Sequence, residues 1–575
     1  MKKPILALAA VCAALFAFAT EPWRNGERQP IWPDGKIPDF QQHQVGAMTD
    51  ESKDERGTMP YIEWFEAPTN SNGACMILVS GGGYVFCCDL GLVRRWRDTF
   101  TKLGYQTVNL VYRTPRPKGL AVYQSAWEDG QRAVRLVRSQ AAKRGFDPEK
   151  IGVIGMSAGG HLVTMLATSA LTPAYAKVDA LDDIPCHVNV AIANAPAYNT
   201  VGAANGDARP EDGRMIAPKI NPCFKFDAKT CPISFHHGGL DPYTPNGSTL
   251  CYRELRKRGI PTELHLYADK PHGAYGLDRA VEFLNQIQFA SKLAPEVDLM
   301  SRYANDDARA SCEKQTIWPE GKMPDVRTNQ CTPYIEWHMP KELKTKAIQI
   351  IYSGGSYMGN TPDGFEVAPM RRYLNEKGMA VVTMKYRTPR PEGLPKHQTA
   401  WEDLQRAIRV VRSQAAARGL DPDRIGIMGS SAGGHLTLMG LTSSRMNAYA
   451  PIDDLDRISC KVQWGIAIYP AYSLTDGAED GNSTGGNDDS AVIVPEMLFD
   501  MDTPPAVFIH GDADGWAAMN SVKAWEQMRK MGVQSDLHTL ALRQHCFQRK
   551  ASPGTGSYTW MDRAWEFLTA KKFNR

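Results

Sequence analysis

The chain alternates short, wholly apolar runs with longer amphipathic ones. Residues 75–79 and 107–111 are apolar or β-branched stretches, a pattern that predicts buried parallel strands rather than half-exposed ones. Residues 125–144 carry Ala and Arg at helical spacing, 151–154 return to an apolar run, and 157–170 resume as a helix. Strand, helix, strand, helix in that order predicts an α/β fold: a mostly parallel sheet covered by helices on both faces.

The pattern then occurs a second time. From Tyr112 the chain reads YRTPRPKGLAVYQSAWEDGQRAVRLVRSQAAKRGFDPEKIGVIGMSAGGHL, and from Tyr386 YRTPRPEGLPKHQTAWEDLQRAIRVVRSQAAARGLDPDRIGIMGSSAGGHL, identical at about seven positions in ten. IWPDGKIPD from Ile31 matches IWPEGKMPD from Ile317, PYIEW follows both Met59 and Thr332, and LDRAVEFL from Leu277 matches MDRAWEFL from Met561. A repeat this long is a duplicated domain, not a stacking motif. The 575 residues also exceed what one core holds. The expected layout is a signal peptide over 1–19, a first α/β-hydrolase domain over 20–295, a linker over 296–311 and a second such domain over 312–575.

Lys2 and Lys3, the apolar run 5–18 and the small residues Ala17 and Ala19 make the start of the chain an export signal with an A-x-A cleavage site. The run is shorter than a spanning helix needs, so a secreted or periplasmic protein without stable membrane insertion is expected. A net charge of +3 without a long single-sign run argues against nucleic acid or an anionic membrane as partner. Removing the leader leaves eleven of twelve cysteines, an odd number. Cys186 and Cys460, at equivalent positions, are expected as buried thiols. Cys223 and Cys231 are close enough in sequence to be bridged. No Cys-x-x-Cys pair or other ligand cluster is visible, so no metal and no cofactor is expected.

Gly155-Met156-Ser157-Ala158-Gly159 and Gly429-Ser430-Ser431-Ala432-Gly433 each lie between a strand and a helix, the context of a nucleophile elbow. Ser157 and Ser431 are the predicted nucleophiles. Upstream, Ser80-Gly81-Gly82-Gly83-Tyr84 and Ser353-Gly354-Gly355-Ser356-Tyr357 end a strand. Gly82, Gly83 and Ala158, and in the second half Gly355, Ser356 and Ala432, are the candidate oxyanion donors. Downstream come Asp241 and Asp514, then His272 and His545, in the order Ser, Asp, His. Both pairs lie 273 residues apart, which favours Asp514 over its rival Asp512. An acid that orients a histidine, and a histidine that takes the serine proton, complete two triads.

The set SGGGY, YRTPRP, GMSAGG, GGLD and PHG resembles the α/β-hydrolase superfamily, in particular bacterial acetylxylan and feruloyl esterases and lipase-like members. The resemblance covers nearly the whole chain, twice. It implies a serine carboxylic-ester hydrolase that removes acetyl or feruloyl groups from an acylated polysaccharide or oligosaccharide. A prolyl-oligopeptidase-like peptidase is the alternative, weakened because no propeller-length repeats precede either unit; a binding-only role for one half is another. Ser80 and Ser353 depart from the family's usual His, and the second half has Ser356 for Gly83 and Cys546 for Gly273.

Other repeated residues read as structural. Trp127-Glu128-Asp129 with Arg132, and Trp401-Glu402-Asp403 with Arg406, suggest a core aromatic and an ion pair on the helix surface. Arg113 and Arg387 are expected to brace the sheet, and His265 and His538 to pack within strands. The loops after the Asp and His residues differ between halves, Pro242-Tyr243 against Gly515-Trp516 and an insertion at 548–556, and are expected to give the two pockets different acyl preferences.

Overall fold

The computed structural model describes residues 26–44, 60–65, 71–87, 90–201, 219–301, 312, 314–475 and 491–575. The expected signal peptide lies outside them, as do residues 302–311 of the expected linker. Among the described residues no helix is long and apolar enough to cross a membrane.

Among the described residues, each half contributes eight strands to one large sheet. In the first they are β1 (Glu27–Pro30), β2 (Tyr61–Phe65), β3 (Cys75–Val79), β4 (Gln106–Val111), β5 (Ile151–Met156), β6 (Val190–Asn194), β7 (Ile233–Gly238) and β8 (Thr262–Tyr267). In the second they are β9 (Lys314–Thr316), β10 (Tyr334–His338), β11 (Ile348–Tyr352), β12 (Ala380–Lys385), β13 (Ile425–Ser430), β14 (Trp464–Ile468), β15 (Ala506–Gly511) and β16 (Asp536–Leu540). The order within a half is 1-2-4-3-5-6-7-8, parallel except that the second strand runs antiparallel to both of its neighbours, β1 and β4 in the first half. Strands β3, β5 and β6 run unbroken in apolar residues because both faces are covered. Cys75, Ile77 and Val79 point into one core and Met76 and Leu78 into the other.

The halves join through their last strands. β8 pairs antiparallel with β16, so one sheet of sixteen strands runs through the molecule. His265 and His538, equivalent in the repeat, face each other there at 3.1 Å. They are buried in the strands, as expected, and their strands form the seam. Charged pairs flank it: Arg253 with Glu526 at 2.7 Å and Arg563 with Glu282 at 2.6 Å. Arg256 of the first half holds the Asp512 carboxylate and carbonyl, and Arg529 of the second holds the equivalent carbonyl of Gly239. Each half thus pins the other's loop between strand and acidic residue. Asp512 is therefore a seam residue, with Gly239 at its position in the first half.

Two expectations need correction. Asp129 does not pair with Arg132 on a helix surface. Its carboxylate turns inward to Arg113 at 2.9 Å, with Glu128 on the same guanidinium at 2.6 Å and all three side chains fully buried, while Arg132 reaches Asp179 and Asp182. Arg387, Glu402, Asp403 and Arg406 repeat the arrangement. The guanidinium spans sheet and helix and supplies the donors that two buried carboxylates need. In the expected linker, Val297–Asp298 pairs with Lys550–Ala551, and Leu299 is buried in the second half's core. Cys223 and Cys231 are free thiols rather than a bridge, and Cys186 and Cys460 are buried as expected.

Candidate active sites

The elbows have the strained backbone that the motif requires. Ser157 has φ 58° and ψ −120°, and Ser431 φ 56° and ψ −120°, a left-handed conformation costly for a residue with a Cβ. Glycine neighbours permit it: a Cβ on Gly159 would meet the Val79 and Ser80 carbonyls, and one on Gly155 the Gly159 carbonyl. Each serine N–H is tied to the next strand, Ser157 to the Asn194 carbonyl and Ser431 to the Ile468 carbonyl, both at 3.0 Å. Helices Ala158–Thr168 and Ala432–Thr442 start at once, directing unpaired N–H groups at the serine.

In the second half three predicted residues line up. Ser431 Oγ lies 2.8 Å from His545 Nε2, and His545 Nδ1 lies 2.7 Å from Asp514 Oδ2. In the first, His272 Nδ1 is 2.7 Å from Asp241 Oδ2, but no hydrogen bond joins His272 to Ser157. Asp241 and Asp514 are sealed from solvent, whereas the His272 and His545 side chains are 24% and 22% exposed. Burial by itself raises a carboxyl pKa, yet His237 and His272 beside Asp241 hold it well below the usual carboxylate range, and His510 and His545 do so for Asp514. Both acids are therefore ionised and suited to orient an imidazole.

The difference between the sites has a local cause. Tyr469, following β14, packs its ring at a tilt against His545, with ring centres 4.6 Å apart. Its hydroxyl sits between Glu366, at 3.1 Å, and Gln548; Ser430 also bonds Gln548, and Glu366 accepts the Gly354 N–H at 2.8 Å. Ala195 and Met156 stand at the positions of Tyr469 and Ser430. There the first half has a cavity of about 110 Å³, lined by Leu92, Trp96, Asn194, Ala274 and Gly276, behind the histidine loop. The 548–556 insertion, expected to shape the pocket, begins with this buried Gln548, pairs Lys550–Ala551 with Val297–Asp298, and meets the first half where Asn285 donates to the Gly554 carbonyl at 2.9 Å.

The amides of Gly82, Gly83 and Ala158, and of Gly355, Ser356 and Ala432, donate to no protein acceptor among the described residues. Ser356 keeps the left-handed backbone of Gly83, φ 55° against 62°, so the substitution leaves the loop's path unchanged. Sequence reasoning missed what holds these loops. Tyr112 and Tyr386 donate to the Ser80 and Ser353 carbonyls at 3.0 Å, and His161 and His435 hold Tyr84 and Tyr357 at 2.7 and 2.8 Å. The shared YRTPRP and SAGGHL strings contain four of these six residues, Tyr112, Tyr386, His161 and His435. The expectation of no ligand cluster is also corrected: the fold gathers His397, His435 and Glu496, far apart in the chain, into a group able to hold a metal ion.

A family model, BD-FAE, matches residues 65–253 and again 335–527. The chain belongs to the BD-FAE family, and does so twice over. The two matched segments include the elbow serines and Asp241 and Asp514, so the duplicated unit is of the BD-FAE family, in an α/β-hydrolase fold. The chain is similar to endo-1,4-beta-xylanase B of Butyrivibrio fibrisolvens, 27% identical over 35% of this chain and 32% of that protein. It is also similar to the acetylxylan esterase of Xylanibacter ruminicola, 26% identical over 36% of this chain and 42% of that protein. It spans less than half the length of these two curated relatives. Among solved structures, the acetyl ester-xyloside bifunctional hydrolase of Caldicellulosiruptor lactoaceticus aligns with 46% of this chain and 97% of its own, at 23% identity and a TM-score of 0.38.

Proposed function

We propose that the protein is a secreted serine carboxylic-ester hydrolase with two sites, removing acetyl or feruloyl groups from plant polysaccharide. The observation that carries this reading is the continuous hydrogen-bonded chain Ser431–His545–Asp514 beside unpaired backbone amides. His545 Nε2 takes the Ser431 proton as Oγ attacks the ester carbonyl. The amides of Gly355, Ser356 and Ala432 receive the oxyanion, a contribution of about 2.7–4 kcal/mol per donor in comparable sites. His545 then gives that proton to the departing sugar oxygen as the acyl C–O bond breaks, and water, activated by the same nitrogen, releases the acid. Ser157, His272 and Asp241 perform the same steps in the first half once substrate draws His272 onto Ser157; such bonds are often long before substrate binds. Serine, imidazole and backbone amides suffice, so no metal takes part in the reaction. Export rests on the N-terminal pattern. The substrate class rests on the xylan-related names of the two curated relatives.

The test is incubation with acetylated and feruloylated xylan and measurement of the acids released. Acetic or ferulic acid is expected, with p-nitrophenyl acetate turned over and proline-containing peptides left intact; peptide cleavage without ester turnover would sink the reading. The two sites are further expected to differ in acyl preference. In the first, Tyr243 lies against His272 and Arg116 bonds the Gly83 carbonyl at 2.8 Å and the Tyr198 hydroxyl at 3.0 Å. In the second, Trp516 stands in place of Tyr243 and packs on Tyr472, the counterpart of Tyr198, with Lys396 over the same ring. Ser157→Ala and Ser431→Ala enzymes should give different ratios of kcat/KM for acetyl and feruloyl esters. Equal ratios would mean that loop divergence has not become specificity.

A further inference from the structure

We propose that the second half carries a divalent-cation site of the zinc type, formed by His397, His435 and Glu496. His397 precedes helix Gln398–Ala415, His435 lies in the first turn of the elbow helix, and Glu496 comes from the loop before β15. Glu496 Oε1 is 3.9 Å from both His397 Nδ1 and His435 Nε2, and the three donor atoms all lie within 4.8 Å of one another. Tetrahedral zinc with these ligands needs donors about 3.3 Å apart, so Glu496 must turn inward and the two imidazole nitrogens, within 4.8 Å of each other, must stand at that spacing too. The Glu496 side chain is 31% exposed, which supplies that freedom and leaves a fourth position open to water.

A second observation points at a ligand. His435 is 1% exposed, and its Nε2 is buried with no hydrogen-bond partner, aimed into the group. Its other nitrogen is engaged with the Tyr357 hydroxyl at 2.8 Å. That is the arrangement of a metal-bound imidazole: one nitrogen on the cation, the other N–H donated outward, which fixes tautomer and ring orientation. The first half gives the control. Tyr123, His161 and Cys223 hold the corresponding positions; Ser169 and Ser443 bond the Cys223 and Glu496 carbonyls alike. There the same histidine nitrogen meets Cys223 Sγ at 3.5 Å. One half satisfies this nitrogen with its own thiol, and the other surrounds it with a second imidazole and a carboxylate. Two imidazoles with one carboxylate suit zinc rather than magnesium or calcium. Bound there, the cation would fix Tyr357 and so the loop that carries Ser356; it would not touch substrate.

The test uses the full-length protein, stripped with a chelator and titrated with Zn²⁺ and separately with Co²⁺. One tight equivalent of Zn²⁺ should raise the melting temperature. Co²⁺ should give the visible absorption of a four-coordinate site without thiolate charge transfer. Glu496→Gln, and His397→Tyr, which installs the residue of the first half, should each lose that equivalent or weaken it by more than about a hundredfold. Turnover by the Ser157 site, read in Ser431→Ala protein, should be unaffected by stripping. The proposal is overturned if wild type and both variants bind zinc alike, if the cobalt spectrum shows thiolate ligation, or if no equivalent binds. None of these readouts depends on the ester chemistry, so they separate this site from the proposed activity.

Discussion

Changing both Ser157 and Ser431 to Ala should abolish ester hydrolysis, while each single change leaves part of it. Loss of the nucleophile in a serine hydrolase of known mechanism costs on the order of a millionfold in kcat, so the double variant should fall to the background of the assay. The singles should not be equal. Ser431 is already bonded to His545, whose ring is backed by Tyr469, whereas His272 must still move to Ser157. Ser157→Ala should therefore keep the larger share of p-nitrophenyl acetate turnover, and Ser431→Ala the smaller. A single variant inactive on every ester tested would mean that only one half is an enzyme.

Arg387→Ala should be the most destabilising single change away from the serines. Arg387 donates to Asp403 at 3.0 Å and to Glu402 at 2.7 Å, with all three side chains fully buried, and also to the Pro324 carbonyl at 2.6 Å. Burial raises the Glu402 carboxyl to about 7 even with the guanidinium beside it, and raises Asp403 as well. Removing the arginine leaves two carboxylates in the core without their cation, which costs about 3–5 kcal/mol for a buried pair. The urea midpoint should fall accordingly. Arg457→Ala breaks an exposed pair with Asp454 at 3.4 Å, 85% and 92% exposed, and should leave the midpoint nearly unchanged. Equal shifts would refute the assignment of Arg387 as the internal strut.

The strand–helix alternation and the duplication were legible because buried parallel strands are unbroken apolar runs and because two copies mark the same residues. The elbows were legible for a steric reason: only small residues fit around Ser157 and Ser431. Register between copies picked out Asp514, and the seam contacts of Asp512 explain why it is not the one facing His545. Other features depend on what folding brings together. Nothing in the β8 and β16 sequences says that they pair with each other, since an edge strand that will be covered reads like any interior strand. Asp129 chooses Arg113 over the nearer Arg132 because its carboxylate faces the sheet, a direction that helix spacing does not give. His397, His435 and Glu496 carry no spacing signature, and Tyr469 differs from Ala195 by one substitution whose effect is visible only where the ring meets His545.

The central claim is that the chain holds two serine nucleophiles, and covalent labelling tests it most directly. The intact protein would be treated with a fluorophosphonate, and the label counted and located by mass spectrometry. Two labels per chain are predicted, on Ser157 and Ser431, the second forming faster. A single label, or one on any other residue, would contradict the account.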